Sequence, residues 1–245
     1  MSQFDIMFEM SNPSRIGMLR LAASGPVRHR DFLQASGLAP SEVTRHTSRL
    51  VNSGFLKRNR TGHFELTRLG GLLLDRMDDF EFISFHDRYF ERHDATGIPM
   101  GFDMLSMLRR ATVLDETMAV VNAVLRINAS SRTYVNCILD EFNDALVTMQ
   151  AEKLRDGLEL NILTRPGRPV PFEYTELRHT GIHFRTVAKL PMFMIASEKE
   201  SLICLRSANG RTDYSMAFVS EKSEFLDWCD ALFWHYWERG KDVGL

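Results

Sequence analysis

The chain contains few cysteines, and they are not arranged to bind a metal or to form a redox pair. Its three cysteines, Cys137, Cys204 and Cys229, are odd in number, far apart and outside any C-x-x-C pattern. Disulfide-rich secreted domains and structural zinc sites both need cysteines that are paired or closely spaced. The sequence therefore predicts reduced thiols in a cytoplasmic protein, most of them packed in its core.

Long apolar runs and a signal-peptide pattern are also missing. No apolar segment approaches the roughly 20 residues that a membrane-spanning helix needs. The N-terminal residues do not show the basic and then apolar composition of a secretory leader. We therefore expect no membrane partner.

The motifs of common enzyme classes are absent as well. No glycine-rich phosphate loop joins a predicted strand to a helix, and no nucleophile elbow is present. His86 and His93 lie two helical turns apart, but no third ligand accompanies them at a defined spacing. The sequence thus predicts a protein that is not an enzyme and that has no cofactor and no metal.

The charges that are present are unevenly distributed, although the net charge is only -2. Residues 28–60 contain seven lysines and arginines against two acidic residues, a balance of +5, which leaves -7 for the rest of the chain. A basic segment joined to an acidic body is typical of a DNA-facing module. The length of 245 residues and the content of 44% hydrophobic residues fit two globular domains.

The most informative segment is 38–54, which the sequence predicts to be a short amphipathic helix over 40–53. Pro40 and Ser41 are typical of a helix start, and Gly54 is typical of the residue that follows a helix end. Apolar or small residues at helical spacing form one face, and hydroxyls and arginines form the other. Such a helix fits the DNA major groove, although a solvated helix face has the same pattern.

The neighbouring segments favour the DNA-binding interpretation. Two helices are expected before this one, over 15–23 and 29–35, and the tight turn at Ser36-Gly37 gives the helix-turn-helix order. Two short runs around Arg60-Thr61-Gly62 then predict a β-hairpin, with basic residues near its tip. Directly after a helix-turn-helix, this hairpin is predicted to be the wing of a winged helix.

The rest of the chain divides into a helical middle and a segment of alternating strands and helices. Residues 71–128 are predicted to be a helical connector that supports a homodimer, although their apolar residues would equally pack on their own chain. Residues 129–245 are predicted to form an α/β domain. The expected fold is therefore α+β, with residues 1–70 as the winged helix-turn-helix domain.

Two sets of motifs resemble archaeal transcription regulators. The run T-R-H-T-S-R-L-V-N-S-G-F-L-K-R at 44–58 and L-T-R-L-G at 66–70 resemble the winged helix of archaeal and bacterial regulators. The segments at 91–99, 156–163, 209–214 and 225–239 resemble regulators with the methanogenesis-regulatory, filament-regulator type of C-terminal domain. The resemblance implies a DNA-binding regulator whose C-terminal domain senses a small molecule.

The layout of the C-terminal segment also resembles the phospholipase-D-like fold that serves as a sensor in sugar-responsive archaeal regulators. Active members of that superfamily carry H-x-K followed by an Asp, and the corresponding region here, L-P-M-F-M-I-A-S-E-K at 190–199, has no such motif. A hydrolase needs its nucleophile. The resemblance therefore implies a degenerate fold that is kept as a binding scaffold.

These observations lead to a hypothesis with named residues. The protein is predicted to be a cytoplasmic, sequence-specific transcription regulator that binds double-stranded DNA as a homodimer and senses an effector. The predicted DNA-binding residues are Ser41, Thr44, Arg45, His46, Ser48, Arg49, Lys57, Arg58, Arg60 and His63. The predicted effector-binding residues, between the strand ends and the closing helix, are Arg185, Lys189, Asp213, Tyr214, Trp228 and Trp234.

Two alternatives remain open at this point. One is a phosphodiesterase-like enzyme with an accessory winged helix, which the missing H-x-K disfavours. The other is a protein-interaction module whose winged helix binds a partner protein, which the charge of +5 over residues 28–60 disfavours.

Overall fold

A computed structural model of the chain describes residues 2–243, and the chain divides into two compact units between Phe85 and His86. The boundary at residue 85 falls inside the segment that was expected to be a connector. The predicted boundaries at residues 70 and 128 stay predictions. Among the described residues, no helix is both long enough and apolar enough to cross a membrane.

Residues 2–85 contain five helices and one β-hairpin. Helices α1 to α4 are followed by the antiparallel strands β1 and β2 and by α5, with Leu56 opposite Leu66 and Arg58 opposite Phe64 in the hairpin. The elements are α1 (Gln3–Met10), α2 (Pro13–Ala23), α3 (His29–Ser36), α4 (Pro40–Asn52), β1 (Leu56–Arg58), β2 (Phe64–Leu66) and α5 (Arg68–Phe85).

Local sequence explains where these helices begin and end. Asn12 caps α2 by accepting a hydrogen bond from the backbone N–H of Arg15, and Pro13 occupies the first turn. Helix α3 ends at Gly37, whose φ of 65° is left-handed and lets the chain turn into α4 within three residues. The helical order expected from the sequence is therefore present.

Helix α1 is an element that the sequence reasoning missed. Ser2 caps it, and the Asp5 carboxylate accepts a hydrogen bond from the backbone N–H of Ser2. Its apolar residues Phe4 and Phe8 are 71% and 58% exposed, whereas Glu9 is buried. Ile6 and Met10 of the same helix pack in the core, so its apolar residues do not form a single buried face.

The second unit is built on a nine-stranded mixed sheet. The strand order is β11-β7-β6-β5-β8-β9-β10-β4, and β3 pairs with β9. Strands β5, β6 and β7 are parallel, and the other pairs are antiparallel. The strands are β3 (His93–Asp94), β4 (Thr112–Leu114), β5 (Tyr134–Ile138), β6 (Glu159–Thr164), β7 (Ile182–Thr186), β8 (Met192–Ser197), β9 (Ser201–Ser207), β10 (Ala217–Ser220) and β11 (Lys241–Asp242).

Six α-helices alternate with groups of these strands along the described part of the second unit. They are α6 (Asp87–Arg92), α7 (Met104–Leu108), α8 (Thr117–Ser130), α9 (Asp144–Arg155), α10 (Phe172–Glu176) and α11 (Ser223–Trp237). The central strand β8 is buried over its whole length, as expected for a strand that is covered on both faces. All three cysteines are buried and unpaired, which confirms that they are core thiols. Strands β3, β4 and β11 are present although the sequence pattern did not predict them.

Substitution of two adjacent glycines at the start of α5 tests how tightly the first unit is packed. A Cβ at Gly70 would collide with the backbone oxygen of Phe55 and lie 2.9 Å from a Leu66 methyl carbon, whereas one at Gly71 would lie 3.7 Å from Leu66. We expect Gly70→Ala to lower the free energy of unfolding by about 1–3 kcal/mol, because the backbone must shift. Gly71→Ala is the matched control and should leave it unchanged or raise it by up to about 1 kcal/mol. Urea denaturation of both variants measures the difference, and equal stabilities would contradict the predicted collision.

Candidate nucleic-acid interface

The exposed face of α4 is formed by four residues at the spacing of one helical face. Ser41, Thr44, Arg45 and Ser48 are all exposed, while Val43, Thr47 and Leu50 are buried on the opposite side. The Arg45 side chain is 65% exposed, and its nearest carboxylate is that of Glu42, at 4.0 Å. An exposed pair at this distance is weak, so the guanidinium remains available to an incoming acceptor.

The hairpin places a second set of basic residues next to this helix. Lys57, Arg58 and Arg60 are exposed, and Lys57 forms an ion pair with Glu65 at 3.2 Å. The Arg58 guanidinium lies 4.7 Å from the centre of the Phe64 ring, which holds its stem against the hairpin. Arg58 and Arg60 therefore present positive charge from a fixed β-hairpin.

Side-chain hydrogen bonds order the hairpin tip. The Asn59 carboxamide oxygen accepts hydrogen bonds from the backbone N–H of Thr61 and His63, each at 3.0 Å, and from the Thr61 hydroxyl at 2.8 Å. Since the Thr61 hydroxyl donates to Asn59, it accepts from Nδ1–H of His63 at 2.7 Å. The tip therefore has a defined shape before any ligand binds.

The start of α3 connects the hairpin to the exposed face of α4. Nε of Arg28 donates to Nε2 of His63 at 2.9 Å, and Nε2 of His29 lies 3.1 Å from the Thr44 hydroxyl. The Thr44 hydroxyl donates to the Pro40 carbonyl at 2.9 Å, so it accepts from His29. Arg28 thus contacts the hairpin and its neighbour His29 contacts α4, so the exposed face of α4, the start of α3 and the hairpin tip form one continuous surface.

Arg49 occupies a different environment from the other predicted residues. Its Nε lies 3.1 and 3.2 Å from the two carboxylate oxygens of Glu9, and its guanidinium lies 4.9 Å from the centre of the Phe8 ring. The Glu9 carboxylate also lies 3.1 Å from Nε of Arg15, which is buried. Arg49 therefore ties α4 to α1, and its charge is already matched within the protein.

His46 also differs from the other predicted residues, because it is buried. Only 6% of it is exposed, and its Nδ1 has no hydrogen-bond partner in the part of the chain that the structure describes. Burial lowers the pKa of the His46 ring, and the positive charges of Arg15 and Arg45 lower it further. A buried, neutral imidazole contributes to packing and adds no positive charge to the surface.

The predicted effector-binding residues are spread over the second unit. Arg185 and Trp234 line one open cleft of about 560 Å³.

The other four predicted residues lie elsewhere. Lys189 pairs with Asp94 at 3.2 Å, and Asp213 pairs with His93 at 3.1 Å. Trp228 donates its indole N–H to the Phe102 carbonyl, and Tyr214 lines a separate cavity. The structure therefore does not bring the six residues into one pocket.

The histidine pair that the sequence analysis considered for metal binding can also be located. Nδ1 of His93 lies 2.7 Å from the Tyr89 carbonyl, and its Nε2 contacts Asp213. Both ring nitrogens of His93 are thus engaged by protein groups. No cluster of three or more potential metal ligands occurs among residues 2–243.

A known protein family matches the N-terminal part of the chain. Residues 3–88 match the model of the HVO_A0261 N-terminal domain. No curated protein sequence matches the chain. The match gives no support to the expected resemblance to a methanogenesis-regulatory domain, which concerned the C-terminal segments and stays a prediction.

Solved structures give only distant likenesses. TrmBL2, described as an archaeal chromatin protein with a novel mode of DNA binding, is 12% identical with a TM-score of 0.46, over 95% of this chain and 94% of that chain. Nuc of Salmonella typhimurium, a phospholipase D family member, is 13% identical with a TM-score of 0.40, over 51% and 91%. NucT of Helicobacter pylori is 10% identical with a TM-score of 0.44, over 54% and 98%. At these values, the likenesses define neither a fold nor a function for the chain.

The buried carboxylate of Glu9 gives a prediction for stability and its pH dependence. We expect Glu9→Gln to lower the free energy of unfolding by about 3 kcal/mol at pH 7, because Arg15 would stay buried without its counter-charge. The Arg49 guanidinium holds the pKa of Glu9 below its usual value of 4.5. The stabilisation is therefore present above pH 4.5 and is lost as the pH falls through the lower, folded-state pKa.

Chemical denaturation of the wild type and the variant between pH 7 and pH 3 tests this expectation. The stability difference between the two proteins should shrink as the pH falls. Glu81→Gln is a suitable control, because Glu81 is exposed and its ion pair with Arg20 lies at the surface. A difference that stays constant over the whole range would contradict the role of the Glu9 charge.

Proposed function

We propose that the chain is a transcription regulator that binds double-stranded DNA and has no catalytic activity. In this proposal, α2, α3, α4 and the hairpin form a winged helix-turn-helix, with α4 in the major groove and the hairpin as the wing. The observation that carries the proposal is the continuous surface formed by the exposed face of α4, the start of α3 and the hairpin tip.

The two parts of this surface have different chemistry, and we assign them different roles. Ser41, Thr44 and Ser48 offer small hydroxyls, and Arg45 offers a planar fork of donors that matches the O6 and N7 atoms of guanine. Lys57, Arg58 and Arg60 lie on the hairpin, where positive charge would contact phosphates. Helix α4 would thus select the sequence, and the hairpin would fix the protein on the backbone.

The proposal departs from the expectation for two residues. Arg49 is held by Glu9 and Phe8, so we assign it to positioning α4 and not to anchoring phosphates. His46 is buried and belongs to the packing of α4. Arg28 and His29 join the surface instead, through their contacts with His63 and Thr44.

We further propose that the protein acts as a cytoplasmic homodimer and that its second unit senses a small molecule. A dimer would place two α4 helices on half-sites whose separation is fixed by the geometry of the protein. An effector that altered this separation would change the affinity for DNA. Sedimentation equilibrium of the full chain measures the oligomeric state, and a monomer at every concentration would overturn the dimer.

The direct test is fluorescence anisotropy of the full chain with its own promoter fragment and with a scrambled duplex of the same composition. We expect tighter binding to the promoter and an affinity that falls steeply between about 50 and 200 mM salt, because contacts with phosphates release counterions. Absence of binding to any DNA would overturn the proposal.

Arg45→Ala tests sequence readout by α4. We expect a loss of about 1–3 kcal/mol on the preferred site and little change on scrambled DNA, because the lost contact is to base edges. Arg155→Ala, at an exposed position on α9 of the second unit, removes the same charge and is the matched control. An equal loss of affinity for both DNAs would mean that Arg45 contacts the DNA phosphates and not the base edges.

Arg60→Ala tests the role of the hairpin. We expect weaker binding to all sequences alike and a salt slope that is smaller by about 1, because one phosphate contact is lost. The same anisotropy titrations measure both quantities. An unchanged slope would mean that the hairpin tip does not touch the DNA backbone.

A further inference from the structure

The second unit contains an apolar cavity that lies apart from the cleft of Arg185 and Trp234. It has a volume of about 360 Å³ and lies between α8, α9 and residues of β5 and β8. This volume is at the lower end of the range of small-molecule sites. The lining residues are Val121, Val124, Leu125, Cys137, Leu139, Glu141, Phe142, Asn143, Ala145, Leu146, Val147, Gln150, Tyr174, Phe193, Ile195 and Tyr214.

The charge of the lining decides which ligands the cavity accepts. These lining residues include no lysine, arginine or histidine, and Glu141 is their single acidic residue. Burial raises the pKa of the Cys137 thiol to about 12 and that of the Tyr214 hydroxyl to about 12, so both are neutral at pH 7. An anion would lose its hydration without gaining a counter-charge. A cation would meet Glu141 alone, whose side chain is 78% exposed and lies 4.0 Å from Arg168, so the cavity favours an uncharged molecule.

Aromatic rings form a large part of the walls. The Phe193 and Tyr214 rings lie 5.0 Å apart at 75°, and the Phe142 and Tyr174 rings lie 6.0 Å apart at 72°. These side chains come from four separate segments of the second unit, so the fold brings them together. Because all four residues line the cavity, their rings are available to pack against a further planar ring inside it.

The cavity also has a defined polar position. Nε2 of Gln150 donates to Oδ1 of Asn128 at 2.5 Å, and the Tyr174 hydroxyl donates to Oε1 of Gln150. Gln150 and Tyr174 both line the cavity, and both are buried. Nε2 of Gln150 also lies 4.0 Å from Sγ of Cys137, so the Gln150 and Tyr174 donors are used, but Oε1 of Gln150 and the Tyr174 oxygen can each still accept a hydrogen bond. A ligand hydroxyl would donate its proton to one of these two oxygens.

We propose that this cavity binds a small, uncharged aromatic molecule that carries a hydroxyl group, with about a dozen non-hydrogen atoms. The ring lies among Phe142, Tyr174, Phe193 and Tyr214, and the hydroxyl donates one hydrogen bond, to Oε1 of Gln150 or to the Tyr174 oxygen. As the ligand of a sensor, this molecule depends on the proposed sensory role of the second unit. The binding itself does not depend on DNA.

The entrance provides variants that block the cavity without disturbing the core. Val121 on α8 is 37% exposed, and Ala145 on α9 is exposed on the other side. Val121→Trp would place a large ring across the entrance. Asn122→Trp is the matched control, because Asn122 is the next residue on α8, is exposed and does not line the cavity.

The test is isothermal titration calorimetry of the full chain with 2-naphthol, naphthalene and 2-naphthoate. We expect 2-naphthol to bind, naphthalene to bind about five-fold more weakly because one hydrogen bond is lost, and the anion 2-naphthoate not to bind. Val121→Trp should weaken 2-naphthol at least about ten-fold, and Asn122→Trp should not. If Val121→Trp does not fold, Ala145→Trp provides the same block.

Three results would overturn the proposal. They are no heat of binding with 2-naphthol, equal binding of 2-naphthoate, and unchanged binding to a folded variant with a blocked entrance. Naphthalene binding as tight as that of 2-naphthol would overturn the role of Gln150 and Tyr174. Because the titration contains no DNA, its failure is distinguishable from a failure of the anisotropy experiment, which concerns the proposed DNA binding.

Discussion

The first unit depends on the buried carboxylate of Glu9, which joins three helices. Glu9 on α1 contacts Arg15 on α2 and Arg49 on α4, so one carboxylate pairs with two arginines that the sequence places far apart. A buried charge without a partner costs several kcal/mol, and this cost makes the geometry specific. The two arginines of α4 therefore differ, because Arg49 pairs with Glu9 and its side chain is 40% exposed, whereas the Arg45 side chain is 65% exposed.

The second unit combines a parallel set of strands with an antiparallel one, and this arrangement creates its cavities. Parallel strands need crossover connections, and α9 provides one between β5 and β6. With α8, it leaves a space above β5 and β8 that aromatic side chains narrow but do not fill. Protein interiors are close-packed and normally contain no voids of this size. We therefore interpret the space as a binding site.

The sequence predicted the candidate surface of the first unit better than the pocket of the second. For α4, the alternation of buried Val43, Thr47 and Leu50 with exposed Ser41, Thr44 and Arg45 is a local helical period, and the structure has the helix. For the effector site, the chosen residues were polar or aromatic groups near predicted strand ends. Their actual partners, such as Asp94 for Lys189 and Phe102 for Trp228, lie roughly 95 and 126 residues away in the chain. No local pattern contains that information.

The sequence by itself determined the α+β class, the order of helices and hairpin in the first unit, and the concentration of positive charge in residues 28–60. These features depend on capping, turn residues and periodicity, which act within a few residues. Only the tertiary structure decided that Glu9 holds Arg49, that His46 is buried, and that Phe142, Tyr174, Phe193 and Tyr214 surround one cavity. Such contacts arise when separate elements pack, and the free energy of packing depends on the shapes of both partners.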